Sequence, residues 1–304
     1  MIVTDPARFL ECFAELQKAP PRPATARAAF LVSPLDFRLA VESARDNAYM
    51  DLAASPDPGR ALREHAELAR RLADDVPVIT FPGDPSCPDG VFPNNVFATV
   101  PGRLIVGRMR HAGRQREGRR PDIRGFFRDL MAYEILDLSA SACVAELTGA
   151  LVVDRMRGIG FCGLSERCDR AGAEAMHAAF GLNLTFCFLL APGEYHTNVV
   201  LCVLAGRGAI VAPDGFADAA VADAIARAYG PSVVTIDRAQ KQAYAGNAIA
   251  LTPGRVWLGA RAAGALHSGQ LAILERAGFS VASADLATLE CAGGGLRCCV
   301  AEIY

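Results

Sequence analysis

Lysine is almost missing from this chain. Only Lys18 and Lys241 occur among 31 basic residues, and the two signs of charge nearly cancel, leaving a formal net charge of −2. Such a balance gives no argument for a nucleic-acid partner or a membrane surface. The shortage of lysine itself reads as compositional bias. Long hydrophobic runs are missing too: Leu184–Ala191 and Val199–Ala205 fall well short of the roughly 20 residues that a spanning helix needs. The opening Met1-Ile-Val-Thr-Asp-Pro does not read as an export signal. Ten cysteines and five histidines are present, yet no zinc-like Cys/His spacing links them, so no metal is expected. Cys162, Cys187 and Cys202 lie inside apolar runs, where free thiols behave as small hydrophobes. Without an export signal, dispersed free thiols point to a reducing cytoplasm. The single tryptophan, Trp257, is most simply a core residue.

What is present is a large apolar fraction, 52% of 304 residues, enough for one large domain or two. Residues 1–27 read as an extension, with a short helix over Pro6–Gln17 and a linker holding Pro20, Pro21 and Pro23. The remainder, 28–304, reads as one domain built from a repeating unit of strand, tight turn, strand, helix and strand. One copy runs Asn95–Val100, Arg103–Gly107, helix Ile123–Met131, Glu134–Leu138; the next runs Gly149–Asp154, Gly158–Cys162, helix Asp169–Phe180, Leu184–Leu190. A third takes Thr197–Leu204 through Ser232–Ile236, and a fourth Asn247–Leu251 through Ser280–Ala284. The last strand, Cys298–Tyr304, finds its companions at the other end of the chain, in Ala28–Val32, an amphipathic helix over Arg60–Asp75 and Val76–Phe81. A period of about 50 residues marks stacked or radial repeats. A unit shared between both termini closes such an array without loose edges. The expected class is α/β, a five-fold β/α ring.

A polar residue heads the first strand of every unit: Asn95, Glu146, His196, Asn247 and Cys298, at intervals of 51, 50, 51 and 51. In a closed ring these positions converge, placing an amide, a carboxylate, an imidazole, a second amide and a thiol in one pocket. Gly293-Gly294-Gly295 before the thiol allows the backbone to pass close to a ligand. Alternation along a strand puts only one of Cys298 and Cys299 on the pocket side, and Cys299 is assigned to the core.

The runs Asp89-Gly-Val-Phe-Pro-Asn-Asn95, Arg114-Gln-Arg-Glu117, Glu146-Leu-Thr-Gly149, Tyr195-His-Thr-Asn198, Gly246-Asn247 and Gly295-Leu-Arg-Cys298 together resemble the guanidine-modifying superfamily. That group holds arginine deiminases, dimethylarginine dimethylaminohydrolases, amidinotransferases and arginine or succinylarginine dihydrolases. The nearest likeness is to a bacterial amidinotransferase-like or citrulline-utilisation hydrolase branch. The resemblance implies a five-bladed β/α propeller (pentein) with pseudo-five-fold symmetry and no cofactor. It implies a nucleophilic thiolate at Cys298 attacking a guanidinium or ureido carbon. His196 then serves as acid and base, and Glu146 holds the substrate nitrogens. Asparagine stands at Asn95 and Asn198 where deiminases carry aspartate, which shifts the reading toward a dihydrolase or citrulline-type hydrolase. Leu147 replaces a usual glycine and is expected to narrow the pocket.

Further substrate contacts are assigned to Asn47, in the loop after the first strand, and to Asn247, which equally serves to brace the backbone. Arg114 or Arg116 in the basic run Arg108–Arg120 is the expected clamp for a carboxylate, because a guanidinium fork matches it. His65, His177 and His267 are expected to be solvated. The expected partner is a small guanidino or ureido molecule, without nucleic acid or membrane, with a homo-oligomer left open. Two alternatives stand beside the hydrolase: an amidinotransferase passing its group to an amine, and a non-catalytic binder on the same scaffold.

Overall fold

The computed structural model describes residues 1–304. The chain forms sixteen strands in order: β1 (Ile2–Val3), β2 (Ala28–Val32), β3 (Val78–Phe81), β4 (Phe97–Val100), β5 (Arg103–Val106), β6 (Glu134–Asp137), β7 (Leu151–Asp154), β8 (Ile159–Leu164), β9 (Leu184–Leu189), β10 (Leu201–Leu204), β11 (Gly208–Val211), β12 (Val233–Thr235), β13 (Ile249–Thr252), β14 (Arg255–Gly259), β15 (Ser280–Ala284) and β16 (Ala301–Ile303). They pair into five separate sheets, in a mixed α/β fold.

All five sheets share one plan. An antiparallel pair is followed by a parallel strand: β4-β5-β6, β7-β8-β9, β10-β11-β12, β13-β14-β15 and β16-β2-β3. Antiparallel partners join through a tight turn, whereas a parallel partner needs a crossover. Helices supply it: Pro58–Leu72, Arg170–Ala179, Ala219–Tyr229 and Ser268–Arg276, with Pro121–Gly125 running into a wider π turn over Phe126–Leu130. The last sheet joins both ends of the chain, with Ala301 opposite Phe30.

Local chemistry explains the helix limits. Pro58–Leu72 starts behind Asp57, whose side chain accepts from the Gly59 amide, with proline at the first helical position. Its buried face carries Ala61, Glu64, His65, Leu68 and Leu72, the three- and four-residue spacing of a helix packed on one side. Glu64 is buried because its carboxylate accepts from the Thr288 amide and hydroxyl at 2.9 and 2.8 Å. His65 is therefore not solvated as expected; it lies inside this face, and burial pushes its pKa down to about 4. His177 is half-buried, bonded through Nδ1 to Thr185 Oγ1, and exposed His267 caps Ser268–Arg276. Trp257 is core, with Nε1 donating to Asp75.

The first 16 residues are packed onto the rest of the chain, while residues 17–23 are exposed. β1 adds a fourth strand, parallel to β9. The following helix, Pro6–Leu16, inserts Phe9, which stacks on Phe186 at 4.5 Å and meets the edge of Phe161 at 5.6 Å. Phe13 meets Tyr229 at 5.4 Å. Phe9 is fully buried, and truncating such a ring costs about 3–5 kcal/mol. Phe9→Ala is expected to lower the unfolding free energy by that order in urea titration. A loss under about 1 kcal/mol would show that the segment is not part of the core.

Candidate active site

The five polar positions do not head strands. Asn95 lies in the short turn Pro93–Asn95 before β4 and Cys298 in Leu296–Cys299 before β16, Glu146 and His196 cap the turns Leu147–Ala150 before β7 and Thr197–Val200 before β10, and Asn247 sits in a bend before β13. The expected strands are correspondingly shorter, because these backbones bond between turns rather than along ladders. Thr148 Oγ1 donates to the Asn94 carbonyl at 2.9 Å. Asn198 Nδ2 donates to the Thr148 carbonyl at 3.1 Å, and Asn247 Nδ2 to the Asn198 carbonyl at 2.8 Å. The Arg297 amide donates to the Asn247 carbonyl, and the Leu296–Cys299 turn packs against Pro93–Asn95. Thus every turn is held by the next, and buried amides are satisfied by doing so.

Cys298 sits at the centre of this arrangement. Its sulfur is 3.4 Å from Asn247 Nδ2 and 3.8 Å from Asn198 Nδ2, and its amide donates to Asn247 Oδ1 at 3.4 Å. Burial pushes its pKa up, partly opposed by the Asn247 bond and by Arg297. Asn198 and Asn247 lie away from the cleft lining and steady the sulfur instead. Cys299 is buried against the Gly295 carbonyl. The separation of the two thiols comes from a 3₁₀ turn, not from strand alternation.

His196 lines the same small cleft as Cys298. Its Nε2 bonds to Glu146 Oε2 at 2.8 Å, while its Nδ1 is buried without a partner. Gly149 makes room for the ring: a Cβ there would lie 2.8 Å from His196 Cε1 and 2.6 Å from Asn95 Oδ1. Glu146 stands behind the imidazole, fully buried, rather than on the cleft wall. Its oxygens accept from His196, from Arg167 Nη1 at 3.1 Å and from the Arg110 amide at 3.1 Å. Burial opposes its ionisation, but Arg167, His196 and Arg114 outweigh it and hold the carboxyl well below the ordinary carboxylate range. Burial likewise lowers the pKa of His196, against the pull of Glu146. Both oxygens of Glu146 are engaged by the protein in this arrangement.

The loop between β2 and the Pro58–Leu72 helix covers the cleft. Asn47 Nδ2 donates to the Gly293 carbonyl at 3.2 Å, and Tyr195 donates to the same carbonyl at 2.5 Å. Gly293 has φ +80, and a Cβ on it would strike Asn47. The glycine run therefore admits neighbouring side chains as well as any ligand. Arg114 lines the cleft, paired with Glu117 at 2.8 Å and bonded to the Phe92 carbonyl at 2.9 Å. Arg116 is exposed and outside the lining. Leu147 is fully buried away from the cleft, with φ +20, so the missing glycine shows up as backbone strain rather than as a narrower pocket.

Two residues here carry no expectation from sequence. Arg167 joins Glu146 to Asp46, with Nη2 to Asp46 Oδ1 at 2.6 Å, and nothing in Ser165-Glu-Arg-Cys168 announces it. Asp89 is buried on the cleft wall, with Oδ2 accepting from Ser43 at 2.5 Å and Oδ1 unpartnered. Its place at the head of the Val-Phe-Pro-Asn-Asn run is a signal that could have identified it.

A buried thiol lining one cleft with an imidazole backed by a carboxylate, on this fold, defines a cysteine-dependent hydrolase of the guanidine-modifying class. The chain belongs to the family described as N,N dimethylarginine dimethylhydrolase, eukaryotic, whose model matches residues 33–304. Among curated proteins, none matches the sequence significantly. Solved structures share the fold. The N-terminal domain of ArgZ, an arginine dihydrolase from cyanobacteria, in a cysteine-to-serine variant bound to substrate, is 18% identical with a TM-score of 0.79 over 91% of this chain and 98% of that one. Unliganded AgrE is 19% identical with a TM-score of 0.78, over 91% of this chain and 40% of that one. A dimethylarginine dimethylaminohydrolase adduct with S-methyl-L-thiocitrulline is 18% identical with a TM-score of 0.71, over 91% and 100%.

Both the thiol and the imidazole are pushed toward their neutral forms by burial. Alkylation of Cys298 by iodoacetamide is expected to accelerate with rising pH through and beyond the ordinary thiol range, as followed by peptide mass spectrometry. A rate already flat near neutrality would reveal a preformed thiolate and contradict this reading.

Proposed function

We propose that the protein hydrolyses the C–N bond of a guanidino or ureido group in arginine, citrulline or an N-acylated relative, releasing ammonia. The observation that carries this reading is the pairing of Cys298, cradled by two asparagine amides, with a His196 whose inner nitrogen is free. Cys298 adds its sulfur to the substrate carbon while its proton passes to a substrate nitrogen by way of His196. The C–N bond then breaks and ammonia departs, leaving a thiouronium-type adduct. Water adds to that carbon, His196 takes a proton from it, and the C–S bond breaks to return the thiol and a ureido product. That product still bears an amino group and suits a second cycle. A variant of the N-terminal domain of ArgZ has itself been solved covalently bound to a reaction intermediate.

Each surrounding group suits one part of such a substrate. Asp89 Oδ1 provides a buried acceptor for a cationic group. Arg114 has three bonds from Nη2 and one from Nε but none from Nη1, which leaves a donor for a carboxylate; exposed Arg116 is less suited. Asn95 and Asn47 line the cleft where a neutral ureido group meets amides. Glu146 fixes the imidazole, and Asn198 and Asn247 fix the sulfur.

The same reading takes the five sheets as blades of one propeller over residues 28–304, with 1–27 as an extension packed on its rim. The repeated strand order and the turn-to-turn hydrogen bonds support it. Ten free thiols favour a reducing cytoplasm. No helix is long and apolar enough to cross a membrane.

Purified protein is expected to liberate ammonia from at least one of arginine, citrulline and succinylarginine. Cys298→Ser should abolish this while folding normally, and Cys299→Ser should have little effect. Turnover only with an added amine acceptor would indicate a transferase, and a live Cys298→Ser variant would remove the nucleophile assignment.

A further inference from the structure

A second cavity lies behind the sulfur. It shares no lining residue with the substrate cleft. In four of the five units the first strand leaves the site turn toward this cavity: β7 after Glu146, β10 after His196, β13 after Asn247 and β16 after Cys298. The cavity is lined from those strands, by Val152, Leu201, Val203, Ala250 and Glu302 among others. It therefore occupies the far side of the site. Its inner end is formed by Thr148 and Asn198, and Asn198 Nδ2 lies 3.8 Å from Cys298 Sγ. One side chain separates the nucleophile from this space.

Its size and chemistry are those of a passage for very small molecules. About 40 Å³ is open to the centres of water-sized molecules, room for roughly two or three of them. The walls near the strands are aliphatic. The outer end is polar: Arg297 pairs with Glu302 at 2.8 Å, Tyr304 donates to Glu302 at 2.8 Å, and Arg155 lies 4.0 Å over the Tyr304 ring. No substrate side chain fits there, but ammonia does.

The reaction proposed above creates a need for such a route. Cys298 and His196 are each about 1% exposed, and the cleft before them is covered by the loop carrying Ser43 and Asn47. After the first C–N bond breaks, the rest of the substrate remains attached to the sulfur and fills that cleft. The departing ammonia stays beside the carbon it left, where it competes with water for the adduct and reverses the step. We infer that the axial cavity behind Cys298, reached past Asn198, is the outlet by which neutral ammonia leaves while the adduct blocks the front. This rests on the hydrolase reading and adds to it a path separate from substrate entry.

Two substitutions obstruct the cavity without touching the cleft. Ala250 and Val152 line the cavity, so Ala250→Leu and Val152→Phe, the latter at a half-buried position, each put a larger side chain on its wall. If Ala250→Leu does not fold, Val152→Phe decides alone. In the folded variants the adduct on Cys298 is expected to form at the wild-type rate in rapid-quench mass spectrometry. Steady-state kcat falls several-fold with KM unchanged, and heavy-nitrogen ammonium supplied outside enters recovered substrate less often per turnover. Wild-type turnover and exchange in a folded variant would overturn the outlet alone. Wild-type protein that liberates no ammonia from any substrate would overturn the hydrolase reading, and the outlet with it.

Discussion

A carboxylate with no exposure to water governs the site. Glu146 is locked between the imidazole of His196 and the guanidinium of Arg167. An ion buried alone would neutralise itself, so its charge persists only because those partners are in place. Arg167 in turn needs Asp46, which sits in the covering loop and also bonds His111. A chain of alternating charge thus runs from the loop to the imidazole. Removing Arg167 leaves the buried charge of Glu146 uncompensated, which is far more costly than losing an exposed pair. The loop is held by the same electrostatics that orient the ring.

The sulfur is held by different means. No cation touches Cys298; two carboxamides do, and they are themselves anchored to neighbouring backbone carbonyls. Amides stabilise a developing thiolate less than charges do, and burial dominates in the resting enzyme. A neutral thiol beside a neutral imidazole suits a site that ionises when a polarised substrate carbon arrives.

Much of this was legible in the sequence. The period near 50 residues located all five units and the sheet shared by the termini, because repeated hydrophobic strands around a tight turn leave a strong pattern. The polar residue at each unit's start was likewise visible from spacing alone. What spacing could not reveal was local conformation. Gly149-Ala150 and Thr197–Val200 read as strand because they run straight into apolar, β-branched stretches, while their backbones bond to other units. Arg167 was invisible because its partners are 21 and 121 residues away. His65 misled because a charged helix face conceals how one histidine points inward. For Glu146 the register was evident, but not the three groups that occupy its oxygens.

The mechanism depends most directly on a covalent bond between one sulfur and the substrate carbon. Acid quenching during turnover, followed by fragmentation of the C-terminal peptide, would locate it. Such a mechanism requires the amidine adduct on Cys298, with Cys299 unmodified; an adduct on Cys299, or ammonia released with no adduct on either thiol, would contradict it.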